Sequence, residues 1–253
     1  MGQPKARWFA RMERSTTEQG LVMLGAGDAP VVHRDDSKTA LAWVQRGTTR
    51  GDSAVKVGLP WACEYNASLS GIGIMWFQLL PDGSETLEAY ASVGITTLQF
   101  GADSSYQNTA EYIASLLCTR GLALLGAGDD PVVHRGDSKT ALAWVQRGTT
   151  RSDSAVRAGL LWGMAVMQHQ ADVVQVTHLS HLENSRADIL SRGGTWEDVL
   201  GADRALFGGS IPVQASKLDL DCAELLKLCD PHSPVDTDES FCDFFRAALR
   251  AVI

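Results

Sequence analysis

Asp137 stands where a short run of β-branched residues gives way to a helix. Val132 and Val133, between Pro131 and the polar pair Asp137-Ser138, read as a buried strand. Thr140–Trp144 reads as the helix that follows, capped by Asp137 or Ser138. A carboxylate there lies at the C-terminal end of a strand, where open α/β sheets bind ligands. An aspartate before a helix also serves simply as a cap, so Asp137 needs company. The chain supplies it at other strand ends and helix starts: Asn66-Ala67-Ser68, Glu111, and a closing polar run holding His178, His181, Asn184, Asp188 and Arg192.

The elements that must position these residues follow from periodicity and punctuation. Glu64–Ser68 and Ile72–Leu80 read as two strands, or as one long strand bent at Gly71 and Gly73. Pro81-Asp82-Gly83 is a turn tripeptide, after which Thr86–Ile95 and Thr97–Phe100 are extended. A helix capped by Asn108 or Thr109 comes next, with Ile113, Leu116 and Leu117 at helical spacing. Glu111 then falls in its first turn, where an acid also serves the helix dipole. Beyond the Asp137 strand and its helix, Asp153–Gln170 reads as a second helix, Val173–Val176 as a strand and Glu183–Arg192 as a short helix. The order is an antiparallel meander that runs into parallel crossovers, a mixed α/β sheet flanked by helices.

Part of this unit occurs twice. Gly20–Trp61 and Gly121–Trp162 align without a gap at an offset of 101, and 8 of 42 positions differ. In the first copy Pro60 stands in place of Leu161, which cuts the helix short. Residues 1–61 therefore read as an appendage, 62–195 as the main domain and 196–253 as an acidic helical tail. The second copy is expected to take the place beside the first strand, because its helix continues into the segment that carries His178 and Asp188.

Composition permits an ordinary core, with 45% hydrophobic and 21% charged residues. The net charge of −8 gives nucleic-acid binding no support. Eleven Asp/Glu against five Lys/Arg after Trp196 account for most of it. No apolar run is long enough to cross a membrane, and residues 1–19 lack the apolar core of a signal peptide. Five cysteines at irregular spacing suit reduced thiols and an intracellular place, cytoplasm or nucleus, rather than secretion. Cys222, Cys229, His232 and Cys242 contain no short C-x-x-C knuckle for zinc.

The strand Asn66-Ala67-Ser68-Leu69-Ser70-Gly71, the helical Glu111, the strand end Gly136-Asp137-Ser138 and the closing Asn184-Ser-Arg-Ala-Asp188-Ile-Leu-Ser-Arg192 together resemble the type 1 ribonuclease H domain. The version carried by retrotransposon polyproteins is the most similar. The resemblance spans about Ala62–Arg192. It implies a ribonuclease H-like fold and metal-dependent cleavage of the RNA strand of RNA–DNA hybrids. It also implies two Mg²⁺ ions, with Mn²⁺ as a substitute, and a reverse transcriptase as partner or within a parent polyprotein.

Carried over position by position, Glu111, Asp137 and Asp188 become metal ligands, with Asn66 at the fourth ligand position. His178 becomes a mobile proton-transfer residue, and Ser68, Ser138 and Asn184 become nucleic-acid contacts. The residue types suit the role, because Mg²⁺ takes hard oxygens and gathered acids repel unless cations neutralise them. These residues are expected to converge at one end of the central sheet. Asn66 departs from the family, which has Asp there, and a neutral amide oxygen bridges two cations poorly. Glu64 lies on the same face but about 6–7 Å away along the strand, too far to replace that Asp. A binding module of this fold without turnover is the alternative.

Overall fold

Trp61–Ala67 (β1) is buried at every position, so neither of its faces meets solvent. A strand covered on both sides sits inside a sheet with helices on both faces, and the computed structural model shows that sheet. The structure describes residues 60–95, 104–128, 130–148, 150, 152, 155–169 and 172–230. The extended reading of Thr97–Phe100, most of the first repeat copy and residues beyond 230 lie outside them.

Gly71–Leu79 (β2) and Glu85–Gly94 (β3) complete the meander. Ser104–Leu124 (α1) crosses to Pro131–Gly136 (β4), followed by Lys139–Arg147 (α2) and Val156–His169 (α3). Asp172–His178 (β5), Ser185–Ser191 (α4) and Trp196–Phe207 (α5) come next, then Ser216–Lys217 (β6) and Ala223–Cys229 (α6). The strand order is β5-β4-β1-β2-β3-β6. β1, β2 and β3 pair antiparallel, whereas β4 lies parallel to both β1 and β5. The antiparallel-then-parallel sheet flanked by helices is the mixed α/β architecture expected from the sequence.

Alternation along the strands divides the core in two. Cys63, Tyr65, Ile74 and Trp76 join Ile113, Leu116, Leu117 and Leu161 on one face. Ala62, Met75 and Phe77 join Leu190, Val199 and Leu200 on the other. On that second face α4 lies almost against the backbone of β2. A Cβ at Gly71 would stand 2.8 Å from the Ser191 carbonyl oxygen, and one at Gly73 would stand 2.7 Å from the Ser191 nitrogen. Only glycine permits that approach, and it brings the helix that carries Asp188 down onto the sheet.

β1 and β2 are the two separate strands read from the sequence, not one bent strand, and are joined at Ser68–Ser70, where the Ser68 amide donates to the Gly71 carbonyl at 2.8 Å. Two sequence expectations need correction. Helix α1 begins at Ser104, four residues before Asn108. Its polar opening gives no apolar stripe to read, and a tertiary bond from the Gln107 side chain to the Ala67 carbonyl holds it to β1. Glu111 is therefore well inside the helix, and the first-turn dipole account of it falls. The C-terminal segment, read as a tail, contributes more than a covering as far as Asp230. β6 pairs with β3 at Ala89 and Tyr90, and Leu220, Leu225, Leu226 and Cys229 enter the core.

The second repeat copy fills the place beside β1, with Trp61 opposite Val132 and Ala62 opposite Val133. Five of the eight differences between the copies fall on residues that fix it there. Asp130 accepts from the Trp61 indole at 3.2 Å, where the first copy has Ala29. Arg157 bonds the Asp230 carbonyl, and Ala158 and Leu161 are fully buried, where the first copy has Lys56, Val57 and Pro60. Gly136 leaves room for Tyr65: a Cβ would lie 3.2 Å from its Cε2, and the first copy has Asp35 at that place. A larger side chain in a filled slot, or a carboxylate pressed against a ring, is disfavoured by sterics and desolvation. Pro60 itself opens β1, where a missing N–H is tolerated.

Candidate active site

β1 and β4 run parallel, so their C-terminal ends lie together. Asn66, next to last in β1, donates from Nδ2 to Asp137 Oδ2 at 3.2 Å. Asp137 follows β4 directly, and Ser138 after it caps α2 by accepting from the Ala141 amide at 3.1 Å. The Ser138 hydroxyl also donates to Asn108 Oδ1 at 2.8 Å, which ties the start of α2 to α1. From α1, Glu111 reaches the same strand end, and its Oε1 accepts from the Ala67 amide at 2.6 Å.

Glu111 is 1% exposed, and its Oε2 is buried with no hydrogen-bond partner. Burial pushes its carboxyl pKa well above the ordinary range. The bond from Ala67 opposes that shift, and the charges of Asp137 and Asp188 add to it.

Asp188 is placed by α4. The Ser191 hydroxyl donates to the Asp188 carbonyl at 2.8 Å and lies 3.5 Å from Asn66 Oδ1, which joins the helix to the end of β1. Ser68 Oγ donates to the Ser191 carbonyl at 2.7 Å. The Asp188 carboxylate is taken by Arg192, whose Nε is 3.0 Å from each oxygen. His178, exposed at the end of β5, has Nε2 3.1 Å from the Asp137 carbonyl oxygen. Asn184 is buried and donates to the Tyr65 carbonyl at 3.0 Å, holding the β5–α4 loop to β1. Its Oδ1 has no partner.

Glu64 belongs to different chemistry. It is buried between Arg186 at 3.3 Å and Arg135 at 3.5 Å. Desolvation raises its pKa, and the two guanidiniums pull it back. Arg186 also lies over the rings of Phe207 and Phe77 and pairs with Asp203 at 3.4 Å. This network joins α4 and α5 to the sheet and leaves Glu64 committed.

The sequence alone passed over Gln107, read Asn108 only as a helix cap, and gave Ser191 and Arg192 no contact at the site. Gln107 and Asn108 precede Glu111 by four and three residues, the spacing that shares a helix face. That signal was hidden once the helix was begun at Asn108. Ser191-Arg192 closes the most specific motif, but its contacts to Asn66 and Asp188 have no local signature.

The donor set fits a hard divalent cation in type: three carboxylates, one of them with a buried oxygen left without a partner. It is not drawn together as it stands. Among the described residues no three His, Cys, Asp or Glu side chains form a group that could hold a metal ion. Asp137 and Asp188 are each held by a protein nitrogen instead.

The fold is a mixed α/β one, a six-stranded sheet flanked by helices. No protein-family model and no curated protein matches the chain. Seven chains of solved structure do. RNase H1 from the halophilic archaeon Halobacterium salinarum NRC-1 shares 20% identity over 52% of this chain and 92% of its own, with a TM-score of 0.36. LC11-RNase H1, isolated from compost by a metagenomic approach, shares 17% identity over 56% of this chain and 99% of its own, with a TM-score of 0.35. The human cytomegalovirus terminase nuclease domain shares 12% identity over 80% of this chain and 82% of its own, with a TM-score of 0.32. No helix among the described residues is long and apolar enough to cross a membrane. The four described cysteines, Cys63, Cys118, Cys222 and Cys229, are free and buried.

Proposed function

We propose that this protein is a metal-dependent endonuclease acting on the RNA strand of RNA–DNA hybrids, with turnover limited by Asn66. One observation carries the reading. Supporting it, Asn66 bonds Asp137 although the two are 71 residues apart, and Glu111 bonds the Ala67 amide beside them. Glu111, Asp137 and Asp188 would hold Mg²⁺ or Mn²⁺. A bound ion supplies an activated water and charge stabilisation at the scissile phosphodiester. Among the chain's own residues, Glu111 keeps a buried Oε2 without a partner, and His178, exposed beside the Asp137 carbonyl, would move a proton. Ser68 and Ser138 lie at the strand ends where a backbone would pass. RNA–DNA hybrids arise from reverse transcription, so a reverse transcriptase, as partner or in a parent polyprotein, is the source of substrate we infer.

A second reading is a hybrid-binding module without turnover. The observation that favours it is the hydrogen bond of the Asn66 amide to Asp137 and the ion pair of Arg192 with Asp188, neither of which needs a bound cation. Cleavage of a labelled RNA–DNA hybrid with Mg²⁺ or Mn²⁺ decides between the two. Asn66→Asp should raise the rate by about 10²-fold or more, the scale of one transition-state charge stabiliser. A folded Asn66→Asp protein that binds hybrid and never cuts it would leave the binding module as the better account.

A further inference from the structure

Arg192 sits at the C-terminal end of α4 and places Nε 3.0 Å from both oxygens of Asp188. Its side chain is 64% exposed, against 16% for Asp188. Its two terminal nitrogens make no hydrogen bond to the described residues. A guanidinium that spends one N–H on a carboxylate keeps a fork of further donors, suited to phosphate oxygens. Exposed pairs of this kind contribute little to stability, so the contact is poised rather than locked. Ser191, beside Arg192 in the chain, lies 3.5 Å from Asn66 Oδ1, so the pair stands next to the end of β1.

We propose that Arg192 is a phosphate-binding residue stored on Asp188: it covers the carboxylate in the free protein and moves to the bound strand once a cation takes its place. The proposal rests on the metal-dependent reading of the site. It makes two demands that the reading alone does not. The arginine must compete with the ion, and its contribution to nucleic-acid binding must depend on the ion.

The first demand is tested without substrate, by thermal unfolding of the full chain across a Mg²⁺ titration. Arg192→Gln should reach half of its shift at a Mg²⁺ concentration roughly two- to five-fold lower than wild type, the competition an exposed ion pair supplies. An unchanged or higher half-point would overturn the hand-over while leaving the metal site standing. No shift in wild type, Arg192→Gln or Asn66→Asp would overturn the metal site itself, and the hand-over with it. The second demand is tested by anisotropy of a short labelled hybrid against salt, with Ca²⁺ or with EDTA, the strand checked for integrity after each reading. With Ca²⁺, Arg192→Gln should flatten the salt dependence by about one phosphate contact, and with EDTA it should leave it unchanged. Equal flattening in both conditions would show the arginine to be merely a nearby charge and would overturn the proposal. Arg192→Lys should recover the salt slope but not the full affinity, since an ammonium lacks the fork.

Discussion

Asn66 meets Asp137 through nitrogen and not through oxygen: its Nδ2 donates to Asp137 Oδ2 at 3.2 Å. An aspartate at position 66 would bring a second carboxylate to that spot, where like charges repel. In the metal-free protein Asn66→Asp should therefore cost about 1–3 kcal/mol, from a lost hydrogen bond and an added repulsion. Mg²⁺ should restore the loss. Denaturant unfolding in EDTA and in Mg²⁺ measures both, and a variant equally stable in the two would show that no ion answers the new charge.

Glu111 makes stability depend on pH with a definite sign. Its folded pKa is raised, so the folded state holds the proton more tightly than the unfolded chain. Stability should fall as pH rises from the ordinary glutamate range through the folded value, and then level off. Glu111→Gln keeps an oxygen for the Ala67 amide and has nothing to ionise. Its unfolding free energy should be flatter across that window and higher than wild type above it. Parallel pH profiles for the two proteins would rule this out.

His134 works in the opposite direction. Burial pushes its pKa down to about 4, and neither ring nitrogen has a partner. The unfolded chain binds the proton first, so stability should be lost as pH falls from about 6.5 towards 4. The full effect is roughly 3 kcal/mol. His134→Gln should remove this slope, which thermal unfolding between those limits would show.

Gly136 separates the two repeat copies. Placing the first copy's residue there, as Gly136→Asp, should destabilise the fold by roughly 3 kcal/mol or more, through contact with Tyr65 and a buried carboxylate. Gly136→Ala isolates the steric part and should cost about 1–3 kcal/mol. If equilibrium unfolding finds both variants as stable as wild type, the slot does not discriminate between the copies.

Breaking the Glu64 network should be costly. Arg186→Ala leaves Glu64 buried with only Arg135 and strips the contact with Phe207, so a loss of about 3–5 kcal/mol is expected. The double variant Glu64→Gln/Arg186→Met should recover much of it, because no charge is then left buried.

The sequence by itself determined the order of elements, the meander with its parallel continuation, and the set of candidate residues. Those features are local. Period-two and helical spacing, Pro-Asp-Gly at a turn and a polar cap after Val132-Val133 are each fixed by residues a few positions apart. Asn66, Asp137 and Asp188 could be named because each stands at or near an end of such an element or within a short motif; Glu111 was named on a helix start that the structure moves back to Ser104.

The tertiary structure alone decided what those residues touch. Glu111 looked like a first-turn acid until the helix was seen to begin at Ser104 and the carboxylate to accept from Ala67, 44 residues earlier in the chain. The second of the nearly identical copies suits the place beside β1 because Tyr65 crowds Gly136 and the Trp61 indole donates to Asp130, conditions that exist only once β1 pairs with β4. Gly71 and Gly73 gave no sign that a helix more than 110 residues later would rest on them. A side chain's partner across the sheet is chosen by packing and charge among distant segments, and no local pattern encodes that choice.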